Sequence, residues 1–177
     1  MKTVTLADAA CCANYLRGAL HPELRKATIE MLCDVLSKMT DEFDSIVVSG
    51  ISGLLVGPSV ADILGKNIIV VRKGESTHSH RDVEGGTVNR CKYVIIDDLH
   101  CTGATLQRIT EELDQWGAEC IGAIVYFDAW DDEPFILPNG RKVHAISTMG
   151  HKYWKLIDEH EDKRYARDKE KIYEKAI

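Results

Sequence analysis

The chain has 177 residues, 45% of them hydrophobic and 28% charged, with 28 Asp and Glu against 22 Lys and Arg for a net charge of -6. That length suits one domain with a full core, and the acidic balance argues against a nucleic-acid duplex or an anionic membrane surface as main partner, since both select cationic faces. No stretch approaches the roughly 20 apolar residues that span a bilayer, and the start, MKTVTLADAACCANYL, carries Asp8 and lacks the long apolar segment of a secretory signal.

In chain order, residues 6 to 19 predict a short helix. HPELRKATIEMLCDVLSKM, 21 to 39, predicts an amphipathic one, with Pro22 near its start and Leu24, Met31, Leu32, Val35, Leu36 and Met39 at helical spacing. FDSIVVSG is a β-branched run ending at Gly50 and reads as a buried strand. GLLVGPSVADIL, 53 to 64, predicts one helix that tolerates Pro58 in its first turns and stops at Gly65. NIIVVRK gives a second strand. The polar stretch from 74 to 90 has no periodicity, and a loop of that length in a compact domain is usually a functional lid or disordered.

KYVIIDD is a third strand, ATLQRITEELDQW a helix closed by Gly117, and CIGAIVYF a fourth strand. PFILPNGRKVHAIS has the form of a hairpin turning at Pro138, Asn139 and Gly140, and residues 151 to 177 read as a charged terminal helix. Strands that are apolar throughout and alternate with helices imply parallel pairing with helices on both faces. The expected fold is a doubly wound, mostly parallel α/β sheet, one domain over 1–177 with its core at about 41–127 and a small hood and flanking helices from 1–40 and 128–177.

The six cysteines, Cys11, Cys12, Cys33, Cys91, Cys101 and Cys120, are irregularly spaced without a CxxC, which fits reduced thiols in a cytoplasmic protein better than disulfides. The seven histidines are scattered, so no protein-held metal is expected.

Ligands of an open parallel sheet lie outside the carboxyl ends of its strands. Three loops emerge there: SGISG at 49 to 53, the long loop from 73, and DDLHCTGAT. In the last, Gly103 lets the chain turn closely, Thr102 and Thr105 offer hydroxyls, and the helix starting near Ala104 presents N–H groups and a positive dipole end suited to a phosphate monoester. Asp97 and Asp98 would repel that phosphate directly, so their partners are hydroxyl donors a short way off, as on a ribose. Acidic residues at strand ends also cap helices, hold magnesium in phosphotransfer domains or face water. The full pattern from Tyr93 to Thr105 is more specific than any of these requires.

Residues 93 to 105 resemble the phosphoribosyl pyrophosphate (PRPP) motif of type I phosphoribosyltransferases, and the similarity in order and spacing extends over about 45 to 127. The resemblance implies that Asp97 and Asp98, the catalytic pair, hold the ribose 2- and 3-hydroxyls and that Cys101, Thr102, Gly103, Ala104 and Thr105 hold the 5-phosphate. Cys101 stands where a threonine is frequent and Ala104 where a second glycine is common; neither change removes a backbone donor.

Ser49, Gly50, Ile51, Ser52 and Gly53 occupy the position of the family's pyrophosphate loop, where relatives often carry a strained cis peptide. Adenine-type relatives often have an arginine in this loop and this chain has none, so Arg72 and Lys73 are expected to supply the charge. Taken alone, SGISG reads equally as an ordinary strand-to-helix turn. The long loop becomes the family's lid, with Ser76, His78, Ser79, His80 and Arg81 as candidates to reach pyrophosphate, and Glu84 in VEGG matches a glutamate-containing segment of adenine-type members.

The implied activity is transfer of the phosphoribosyl group from PRPP to a nucleobase with Mg2+ carried on the pyrophosphate. A purine is favoured by the likeness of GLLVGPSVADILGKNIIVVRK to adenine-type enzymes, which places the protein in purine salvage. Tyr126, Phe127 and Trp130 lie near the end of the fourth strand, where an aromatic, Phe127 or Trp130 above all, is a candidate to stack on the base; the plainer reading puts Tyr126 and Phe127 in the core and leaves Trp130 as a surface anchor. A non-catalytic PRPP or nucleotide sensor is the alternative, favoured by the absent loop arginine. The resemblance also implies a homo-oligomer, commonly a dimer, and neither nucleic acid nor membrane as partner.

Overall fold

A computed structural model describes residues 16–73, 82–100, 103–129, 136–137, 139–140 and 143–145. A short helix α1 (Arg17–Leu20) leads into α2 (Pro22–Leu36), whose proline sits where the missing N–H costs nothing. α2 buries Leu24, Thr28, Leu32 and Leu36, a single stripe at helical spacing. The helix ends at Leu36, short of the expected Met39. Ser37–Glu42 tightens into a 3-10 segment in which Met39 leaves helical geometry, and Lys66 closes this segment by donating to the Thr40 and Phe43 carbonyls at 2.5 and 2.9 Å.

Strand β1 (Ser45–Val48) is buried at every position. The chain beyond it differs from the sequence expectation, because one expected helix is two: α3 (Gly50–Leu54) and α4 (Gly57–Leu64). The break falls at Leu55 and Val56, so that Pro58 opens the second helix instead of bending the first. Gly65, at φ +63, ends α4 in the left-handed conformation expected of a glycine stop. After β2 (Asn67–Val71) comes a two-residue strand β3 (Val83–Glu84), inside the segment expected to be loop. Then follow β4 (Lys92–His100), α5 (Ala104–Asp114), β5 (Glu119–Ala129) and β6 (Val143–Ala145).

The sheet runs β3-β2-β1-β4-β5-β6, parallel throughout except for β3 against β2. The expected turn before β6 is present, with Gly140 at φ +80 donating to the Leu137 carbonyl. β6, however, docks in parallel on β5 as the sheet's edge instead of serving only as a hairpin arm. Residues alternate between two cores with the period of a strand: Ile46, Val48, Val94, Ile96, Ile124 and Tyr126 pack with α2 and α4 on one face. Val47, Tyr93, Ile95, Ala123 and Val125 pack with Leu106, Ile109 and Leu113 of α5 on the other. No described helix is long and apolar enough to cross a membrane. Cys33, Cys91 and Cys120 are free thiols. The expected terminal helix at 151–177 and residues 6–15 of the first helix lie outside the described residues.

Candidate active site

The strand order reverses at β1: the chain passes from β1 to β2 on one side and returns to β4 on the other. The carboxyl ends of β1 and β4 therefore flank the topological switch point, the preferred ligand position in a doubly wound sheet. Ser49 leaves β1 there, and Asp97 and Asp98 stand near the end of β4.

Neighbouring residues of a regular strand face opposite sides, yet the Asp97 and Asp98 carboxyls interact with one another. The pairing of β4 with β5 slips between Asp97 and Leu99, an irregularity of the kind that re-aims side chains beside functional sites. Both residues are nearly enclosed, Asp97 3% and Asp98 8% exposed. The Asp97 Oδ1 accepts from Ser52 Oγ at 2.9 Å and from the Asp98 N–H at 3.0 Å. Burial, and the second carboxyl against it, push the Asp97 carboxyl up to about 7, the two accepted bonds offsetting only part of this.

The helix that follows is capped by Gly103 at φ +74, a conformation that glycine adopts without strain. The start of a helix carries the positive end of its dipole, which favours anions. Gly103 is buried, Ala104 exposed and Thr105 half-buried. Cys101 and Thr102 lie outside the described residues, as do Ser76, His78, Ser79, His80, Arg81 and Trp130. Phe127 falls on β5.

Within SGISG, Ser49, Ser52 and Gly53 are buried whereas Ile51 is 71% exposed. The segment is the first turn of α3 more than a loop, and the described chain contains no cis peptide bond. Gly50 turns at φ +74, and a Cβ there would come within 3.1 Å of the Lys73 side chain, so the lysine lies directly over the start of this segment. Arg72 is turned elsewhere, paired with Glu84 on β3. Both partners are at least a third exposed, 36% and 49%. A pair so open to solvent is worth about 0–1 kcal/mol. Glu84→Gln is accordingly expected to leave the denaturation midpoint nearly unchanged, which a urea titration checks.

Two residues join this network through bonds that have no signal in the sequence pattern. Tyr126, fully buried on β5, donates its hydroxyl to the Ser52 carbonyl at 3.0 Å, so that Asp97, Ser52 and Tyr126 form one chain of bonds across three elements. Arg108 on α5 donates to Ser49 Oγ at 2.7 Å and to the Arg72 carbonyl at 2.6 Å. Both side chains read in sequence as ordinary members of their elements; only the packing brings them here.

No family model matches the chain. It is 31% identical over 124 residues to adenine phosphoribosyltransferase of Bifidobacterium longum, covering 62% of this chain and 64% of that one. It is 27% identical over 108 residues to orotate phosphoribosyltransferase of Porphyromonas gingivalis, covering 60% and 51%. The solved orotate phosphoribosyltransferase of Aeropyrum pernix shares the fold with a TM-score of 0.60 at 20% identity, over 72% of this chain and 75% of that one. In sequence and in fold the chain is similar to type I phosphoribosyltransferases. Its mostly parallel sheet with flanking helices is the fold of these phosphoribosyltransferases. The matches are divided between adenine and orotate members, and the matched part spans between about half and two thirds of the length of the curated relatives named here.

Proposed function

We propose that the chain transfers the 5-phosphoribosyl group of PRPP to a ring nitrogen of a nucleobase, releasing pyrophosphate. The observation that carries this reading is the meeting, at the β1/β4 switch point, of the Asp97–Asp98 pair with the glycine-capped start of α5. A phosphorylated pentose matches both halves: its vicinal hydroxyls donate to the carboxylates, and its phosphate takes the amides of Gly103, Ala104 and Thr105. Cys101 and Thr102 extend the same cradle in sequence. The proposed pyrophosphate site is Ser49–Gly53 with Lys73 above it.

The reaction breaks the bond from the anomeric carbon to pyrophosphate and forms one to the base nitrogen, which gives up its proton. Charge develops on the sugar ring and on the departing oxygen. Catalysis is therefore mostly positioning and electrostatics: carboxylates fix the ring, backbone and lysine donors meet the leaving group, and closure by the segment containing Ser76, His78, Ser79 and His80 keeps water away. Magnesium, carried on the substrate, would neutralise charge on the leaving pyrophosphate. Among the described residues no three His, Cys, Asp or Glu side chains gather to hold an ion on their own.

A purine is the acceptor favoured here, with Phe127 and Trp130 as its proposed stacking partners. Its support is the higher identity to the adenine enzyme. Orotate is a second reading, supported by a match at 26% identity to orotate phosphoribosyltransferase of Enterococcus faecalis over 90% of this chain. Incubation with PRPP, magnesium and, separately, adenine, guanine, hypoxanthine and orotate is expected to release pyrophosphate with a purine. Release with orotate alone reverses the acceptor. Binding of PRPP without turnover on any base moves the protein to the sensor reading.

A further inference from the structure

The first site segment, Ser49 to Gly53, contains no basic residue, and the guanidinium of Arg72 is occupied with Glu84. Besides the overlying Lys73, positive charge reaches the segment from Arg108. Arg108 lies one turn into α5, and its two terminal nitrogens donate to different strand exits: to Ser49 Oγ at the end of β1 and to the Arg72 carbonyl at the end of β2. One planar fork thus ties the exits of β2 and β1 to the helix that follows β4, across the three central neighbours of the sheet. Ser49 is fully buried, so this hydroxyl is held by a charged donor away from water, where such bonds are strongest.

We propose that Arg108 is the positioning residue of the pyrophosphate segment, fixing Ser49 so that the left-handed turn at Gly50 keeps its backbone donors and the overlying Lys73 aimed at the leaving group. The inference rests on the PRPP reading above. Arg108 acts through Ser49 and the Arg72 carbonyl, and does so as a bidentate fork that a lysine's single ammonium cannot reproduce.

Titration calorimetry with magnesium PRPP, magnesium pyrophosphate and ribose 5-phosphate tests it on the full chain and on Arg108→Gln, Arg108→Lys, Ser49→Ala and the Arg108→Gln/Ser49→Ala pair. Both Arg108 variants are expected to weaken PRPP and pyrophosphate about tenfold or more, the worth of a lost charge-assisted bond. Ribose 5-phosphate is expected to stay within about twofold, since its proposed cradle lies elsewhere. Ser49→Ala is expected to reproduce part of the loss, and the double variant to be no weaker than Arg108→Gln, as holds when two residues act as one unit.

Equal weakening of ribose 5-phosphate, unchanged pyrophosphate affinity, or additive losses in the double variant each overturn the inference. Should the Arg108 variants not fold, Ser49→Ala decides alone: weakened pyrophosphate supports the inference and unchanged pyrophosphate overturns it. Failure of the unmodified chain to bind PRPP removes the underlying reading and the inference together, whereas binding that no variant alters removes the inference only.

Discussion

Asp97→Asn is expected to cost the proposed transferase about a hundredfold or more in kcat/KM while raising its stability above pH 7. The kinetic loss follows from removing the charge proposed to accept the ribose hydroxyl, and adding Asp98→Asn is expected to abolish PRPP binding. The gain follows from the same charge. Unfolded, the Asp97 carboxyl titrates near 3.8, and folded near 7. Below the lower value both states carry the proton and the group contributes nothing. Between the two, the folded state keeps a proton that the unfolded state has released, so stability falls as pH rises through this window. Above the upper value the whole penalty is present, at most on the order of 4 kcal/mol.

Asparagine retains an oxygen to accept from Ser52 and from the Asp98 N–H, and its amide can donate toward the Asp98 carboxylate where the Asp97 proton would have been. Thermal unfolding of both proteins at pH 5 and pH 8 measures the effect. The variant's advantage should widen toward pH 8, by roughly 2–4 °C for each kcal/mol in a chain of this size. Two melting curves displaced equally at both pH values would show that Asp97 is not held against its charge.

Gly53→Ala is expected to destabilise the fold by at least about 2 kcal/mol and to weaken PRPP with it. A Cβ at Gly53 would lie 2.7 Å from Val48 Cβ and 2.9 Å from the Ile96 carbonyl oxygen, both on central strands that cannot yield. The helix must lift instead, and Ser52, its neighbour, is then drawn from Asp97. Gly57 meets Val48 Cγ1 at 2.6 Å in the same way, so the two glycines are what let α3 and α4 lie close on β1. Gly86→Ala is the matched control: nothing lies within 4 Å of the added carbon, and its denaturant midpoint should stay put. Equal midpoints for the two variants would remove the close-packing account of Gly53.

The parts of this architecture legible in sequence are those written in short-range pattern. SIVV, NIIVV and KYVII are apolar without interruption because both sides of the sheet are covered, and the stripe of α2 repeats at helical spacing. The Asp-Asp doublet and Gly103 were legible because a strand end and a left-handed helix cap each restrict residue type locally. The break at Leu55 and Val56 was not: Pro58 suits the first turn of any helix, and what separates α3 from α4 is the docking of Gly53 and Gly57 on Val48. β3 has only two residues, too few for a period, and β6 is defined by its neighbour more than by its own side chains. Arg108, Tyr126 and Ser52 acquire their place from partners 36 to 74 positions away, which no local window contains.

α5 is the one described helix whose buried residues fill the second core, through Leu106, Ile109 and Leu113. The same helix begins at the proposed phosphate cradle and carries Arg108. Affinity and foldedness are thus coupled through a single rigid rod. A substitution that loosens its apolar stripe also displaces the anion end, and an anion seated at that end adds its binding free energy to the integrity of the whole face by mass action. Selection acting on either property alone would therefore find this helix the least independent part of the molecule.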